Sequence, residues 1–175
     1  FLAKLSPGGD HVWSAWYGGV QCNSKSISVA VSVDGKSTIT GNFSCDSLEF
    51  GECAIQKDGQ GYSAFVAHFD NSGNCVWAST TSSAGFDYRA TVAAGPAGGI
   101  YLLQHWDKDW FLRSYDSSGN LGWSKLLTWT TAQLSPNQIQ PGHRMAIDAA
   151  GDIYLTGEFT FVNLGGGGFA AGGLN

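Results

Sequence analysis

One half-motif occurs three times in this chain, and it constrains the fold more than any other feature. Phe65-Val-Ala-His-Phe-Asp70-Asn-Ser-Gly73-Asn-Cys-Val-Trp77 matches Phe111-Leu-Arg-Ser-Tyr-Asp116-Ser-Ser-Gly119-Asn-Leu-Gly-Trp123. The opening Phe1-Leu-Ala-Lys-Leu-Ser6-Pro-Gly-Gly9-Asp-His-Val-Trp13 is a third copy. A second half-motif follows each of them. Met145-Ala-Ile-Asp-Ala-Ala-Gly151-Asp-Ile-Tyr-Leu-Thr-Gly157-Glu-Phe159 matches Val29-Ala-Val-Ser-Val-Asp-Gly35-Lys-Ser-Thr-Ile-Thr-Gly41-Asn-Phe43. A worn copy runs from Val92 to Trp106, with Leu103-Gln104 in place of the Thr-Gly step. Self-similarity at such a period is the mark of a repeat architecture, in which each unit buries its apolar faces only against its neighbours.

Each half-motif reads as a β-hairpin. Phe65, Ala67 and Phe69 alternate with Val66 and His68, the period of a strand. Asp70 to Asn74 then supplies turn chemistry, with Gly73 where a positive φ is needed. Two hairpins make four short strands per repeat, which is the pattern of a propeller blade. The fold class expected is therefore all-β, about three four-stranded antiparallel blades. The repeats run about 1–64, 65–110 and 111–175. The first carries a long connector, about Ser44 to Ser63, and the third an insertion, about Trp129 to Gly142. Both are expected to be loop-type segments.

The paired half-motifs resemble the SBBP repeat, a bacterial β-propeller repeat, over nearly the whole chain. The resemblance implies a propeller from a secreted or cell-surface protein, and it implies no particular reaction or ligand. Three repeats are fewer than the roughly four to eight blades of a closed ring. The chain opens at Phe1 on a strand already under way and stops near a blade boundary. The expectation is three consecutive blades of a larger ring, completed by further blades of a longer chain or by self-association.

Composition narrows the class. Charged residues are 13% of the 175, Gly is 25, and Trp is seven, with a net charge of −5. A disordered chain lacks such aromatics, and a nucleic-acid partner calls for a basic surface. No apolar run approaches a membrane span. An uncharged Ser, Thr, Asn and Gly surface is that of a secreted β-protein. Cys22, Cys45, Cys53 and Cys75 make an even count, which suits two disulfides in an oxidising compartment. Of the three pairings, Cys45 with Cys53 and Cys22 with Cys75 are favoured. No C-x-x-C pair occurs, so a zinc site is the weaker reading.

The chemistry the sequence offers is contact chemistry. Asp70 to Asn74 and Asp116 to Asn120 are too short for a calcium loop and lack its closing Glu, so their carboxylates are read as holding the turns. Trp13, Trp77 and Trp123 share one repeat position and are read as packing between neighbouring blades. Trp106, Asp107, Asp109 and Trp110 form the candidate ligand site: indole faces for stacking, with carboxylates accepting from hydroxyls, the make-up of a carbohydrate contact. The competing account is that the two Trp end one strand and start the next. The polar insertion, with Gln133, Asn137, Gln138, Gln140 and His143, is a second place for recognition. Four scattered His residues and no nucleophile elbow leave catalysis without a motif, and no metal or other cofactor is called for. The function expected is an extracellular or cell-surface module that binds a protein or glycan ligand through its loops. Part of a secreted glycan-degrading enzyme, or an architectural subunit of a surface filament, are the alternatives.

Overall fold

The computed structural model describes residues 1–19, 22–82, 90–106, 109–130, 144–157, 161–164 and 168–170. It is all-β, with no α-helix among these residues. In chain order the strands are β1 (Leu2–Leu5), β2 (His11–Ala15), β3 (Ser24–Val31), β4 (Ser37–Phe43), β5 (Ser47–Phe50), β6 (Cys53–Gln56), β7 (Ser63–Phe69) and β8 (Cys75–Ser82). They continue as β9 (Ala90–Ala94), β10 (Ile100–Trp106), β11 (Asp109–Tyr115), β12 (Leu121–Thr130), β13 (Arg144–Ile147), β14 (Ile153–Thr156), β15 (Phe161–Asn163) and β16 (Gly168–Ala170).

All the sheets are antiparallel. A first large sheet has the order β3-β4-β7-β8. A second runs β9-β10-β11-β12 and is extended by β15 and β16. Three two-stranded sheets remain: β1-β2, β5-β6 and β13-β14. Each large sheet thus joins the second half-motif of one repeat to the first half-motif of the next. The sheets are offset from the sequence repeats by two strands, and residue 64 lies inside β7 rather than at a boundary. A repeat pattern fixes the period of a structure but not where along the chain each sheet begins.

The register repeats with the sequence. Ser37 faces Phe69 and Phe43 faces Ser63 across β4 and β7, while Ile100 faces Tyr115 and Trp106 faces Asp109 across β10 and β11. Central strands are buried on both faces: every residue of β4 and of β7 is buried. Alternation then sends side chains to two different cores. Phe65, Ala67 and Phe69 join Leu2, Ile39, Leu48 and Phe50 on one side. Val66 joins Val92, Ile100, Leu102 and Tyr115 on the other, between the two large sheets. On the far face of the second sheet, Leu103, Trp110, Leu112 and Leu127 meet Met145, Ile153 and Leu155 of the β13-β14 pair. β9 lies against β3, and β13 against β9, so equivalent first strands of successive sheets are neighbours.

The connector expected as a loop is a folded hairpin. β5 and β6 pair from Ser47–Gln56 to Phe50–Cys53, and Leu48, Phe50 and Ile55 are buried in the first core. The cysteines are all disulfide-bonded, but not in the pairing favoured from spacing. Cys22 bonds Cys45 and Cys53 bonds Cys75, with Cα separations of 4.7 and 5.9 Å. The hairpin explains the correction. Cys45 precedes the base of β5, whereas Cys53 sits at the tip end of β6, so the two lie at opposite ends of one ribbon. One bond ties the base to the segment before β3 and the other ties the tip end to β8.

Candidate functional site

The acidic turns serve the backbone. Asp70 Oδ1 accepts the N–H groups of Ser72 and Asn74 at 2.9 and 2.8 Å, and Oδ2 accepts the Asn74 side-chain amide at 2.9 Å. Asp116 repeats the pattern with Ser118 and Asn120. Asp148 accepts from Ala150 and Asp152. These hydrogen bonds favour the carboxylate and hold all three below the usual Asp range, led by Asn74, Asn120 and Asp152 respectively. Asp34, bonded by Ser32 and then by Lys36, is lowered to about 2. Among the described residues no group of three or more His, Cys, Asp or Glu is placed to hold a metal.

The repeated Trp residues pin one sheet to the turn of the next. The Trp13 indole N–H donates to the Asn71 carbonyl at 3.0 Å, and that of Trp77 donates to the Ser117 carbonyl at 3.1 Å. Each ring lies against the glycine of the turn it meets. A Cβ on Gly73 would stand 2.9 Å from the Trp13 ring, and one on Gly119 2.7 Å from the Trp77 ring.

The candidate ligand site divides. Trp106 ends β10 and Asp109 opens β11, where they face each other as a pair; their side chains, and Asp107 altogether, lie outside the described residues. Trp110 is 1% exposed, packed with Leu103, Leu112 and Leu127 and 4.9 Å from the His105 ring. Its indole is a core group rather than a stacking face, as period-two alternation from the strand start dictates. The insertion, with Gln133, Asn137, Gln138, Gln140 and His143, lies outside the described residues from 131 to 143.

A different tryptophan is open to solvent. Trp16 follows β2 and is 83% exposed. The two residues that follow it are tied to the fold. Tyr17 points inward, stacked on Phe69 at 4.9 Å, and its hydroxyl donates to the Gly73 carbonyl at 3.0 Å. Burial, with Asp70 nearby, raises the Tyr17 pKa, so the phenol stays a donor. Gly18 then forms a two-way backbone bridge to Glu49 of β5, at 3.2 and 3.3 Å. The Trp16 ring lies over Gly18, where a Cβ would stand 3.4 Å from it. The exposed Glu49 carboxylate is therefore carried by the strand next to an open indole. The signal for Trp16 was present in the alignment: its repeat counterparts are Thr80 and Leu126, so no repeated packing role accounts for it.

No helix among the described residues is long and apolar enough to cross a membrane, and two disulfides fit an oxidising compartment. No protein-family model matches the chain, and no curated protein matches it significantly.

Proposed function

We propose that the chain is an extracellular or cell-surface binding module of the β-propeller type, related to SBBP repeats, that recognises glycans without turnover. Support for the propeller arrangement comes from the four antiparallel strands that each large sheet draws from the repeat, their two-sided cores and the neighbouring first strands β3, β9 and β13. One observation carries the binding reading: an indole left 83% exposed on a segment that a disulfide-braced hairpin and an inward tyrosine hold in place. Sugar rings present apolar C–H faces to an aromatic plane and hydroxyls to a carboxylate such as Glu49. A fixed aromatic loses little conformational entropy on contact. The enclosed space nearby, between Phe1, Tyr17 and Phe50, is about 50 Å³, so the contact is a surface one.

The test is a glycan array probed with the chain and with Trp16→Ala. The expected result is retention of a defined set of glycans and a loss of about tenfold or more on substitution, as one stacking contact of about 1.4 kcal/mol would give. No retained glycan, or equal retention by Trp16→Ala, overturns the reading.

A further inference from the structure

The two-stranded sheets at either end of the described chain are complementary halves of the same object. β1-β2 is built from the first half-motif, the part that β7-β8 and β11-β12 supply in the large sheets. β13-β14 is built from the second half-motif, the part that β3-β4 and β9-β10 supply. Where the halves meet, as at β4-β7, both central strands are buried throughout. At the ends they are not: in β1 only Leu2 is buried, and β14 alternates half-buried and exposed residues. Leu5 and Tyr154, on these edges, are 58% and 61% exposed. Among the described residues neither edge has a strand partner. An open edge of this kind is a template for another strand.

A second, independent feature is incomplete in the same sense. Trp13 and Trp77 each dock on the turn of the following sheet, and their ring positions exclude a side chain at Gly73 and Gly119. Among the described residues Trp123, the third member, has no indole hydrogen bond, and no Trp lies on the turn Ser6 to Asp10. A Cβ on Gly9 would meet nothing within 4 Å. Yet that turn has the same backbone as the docked ones. Ser6 N–H donates to Asp10 at 2.8 Å and Gly9 N–H to Ser6 at 2.9 Å, against 2.9 and 3.1 Å in the turn from Asp70 to Asn74. Pro7, at the position of Asn71 and Ser117, keeps the carbonyl that accepts the indole.

We propose that β14 and Trp123 form a docking edge for the β1-β2 hairpin of a second copy, head to tail. Carrying over the observed registers places Ile153 opposite Leu5, Tyr154 opposite Lys4 and Thr156 opposite Leu2 of the second copy. The same placement brings Trp123 onto the Pro7 carbonyl and Gly9 of that copy. Strand pairing and Trp docking are thus satisfied by one relation, as they are within the chain. The interface is heterologous, so it either closes into a ring or propagates. The described strands of one copy make two full sheets and two halves, equal to three sheets, and those of two copies make six. That falls inside the roughly four to eight of closed rings. The inference concerns assembly and does not depend on glycan binding.

Light scattering on the purified chain across micromolar concentrations tests it. The expected species has twice the 18.5 kDa chain mass. Two variants check the contact. Trp123→Ala removes the docking ring but also touches the core beside Met145. Gly9→Asn places a side chain where the ring must lie, at a φ of +87° that Asn tolerates and in open space within one copy. Gly9→Asn should therefore give a monomer with unchanged circular dichroism and unchanged glycan retention. A wild-type chain that stays monomeric overturns the proposal and leaves the two edges to other repeat units. A dimer indifferent to Gly9→Asn overturns it as well.

Discussion

The two large sheets are written in the same repeat and paired in the same register, yet they are finished differently. The second sheet is covered on both faces by other repeat-derived sheets, the first sheet on one side and β13-β14 on the other. The first sheet lacks a full neighbour on its outer face. That face is closed by Leu2, by Tyr17 and by the inserted β5-β6 hairpin, whose Leu48, Phe50 and Ile55 complete the core. Both disulfides belong to this improvised cover and none to the second sheet. A sheet covered by its own kind is held by area alone. A short hairpin buries too little to hold itself in place, and covalent ties make up the difference.

The largest effect should come from cutting those ties. The bonds close loops of 23 and 22 residues, each stabilising by about 3 kcal/mol in the chain-entropy account. Reduction, or Cys53→Ser with Cys75→Ser, should raise amide hydrogen exchange across β5 to β8 while β10 and β11 stay protected. Equal loss in both sheets would show that the covers do not differ in the way described.

How much of this was readable beforehand follows from the same contrast. The hairpins, the turns with Gly73 and Gly119, and the paired strands were legible because period-two alternation and turn chemistry are local. The phase of the sheets was not, since either half-motif could open one. The disulfide pairing was missed because the β5-β6 ribbon sits outside the repeat, and only its register shows that Cys45 and Cys53 lie at opposite ends. Trp110 follows the account in which the two Trp end one strand and start the next. The short crossing from Trp106 to Asp109 puts it one residue inside β11, on the buried face. Trp16 carries no repeat signal, because Thr80 and Leu126 stand at its counterparts.

A smaller effect distinguishes the two sheets at one equivalent position. Gly41 faces Phe65, and a Cβ there would lie 1.9 Å from the Lys25 carbonyl oxygen, which as backbone has little room to yield. The second sheet places Gln104 at this point, 2% exposed, with its Oε1 accepting from Arg113 at 3.0 Å. Arg113 also donates to the Thr81 carbonyl of the first sheet at 2.9 Å. Gly41→Ala should cost about 3 kcal/mol, the upper end for overpacking. Gln104→Ala should cost about 1 kcal/mol, because Arg113 keeps its second acceptor. Urea melts of both variants check the order, and a reversal would mean that the β3 bulge between Ser26 and Ser28 relaxes to admit a side chain.

The smallest effect is a pH dependence confined to the interface between the sheets. His68 is 3% exposed in β7, its Nδ1 2.8 Å from the Thr38 hydroxyl and its ring stacked on Trp77 at 5.7 Å. Among the described residues its Nε2 has no hydrogen-bond partner. The counterpart in the second sheet is Ser114, which does not titrate. Burial first, and the Lys36 charge second, lower the His68 pKa below that of an unfolded histidine. The unfolded chain therefore binds this proton more readily, and stability falls as pH drops below about 6.5. One proton limits the slope to about 1.4 kcal/mol per pH unit. The turn carboxylates, whose pKa values are lowered, lose their contribution only at pH values below about 3.9, so the two windows separate. His68→Gln keeps a polar partner for Thr38 and removes the titration. Melts at pH 7 and pH 5 should differ for the natural chain and nearly coincide for His68→Gln. A slope that survives the substitution would place the sensitive proton outside this interface.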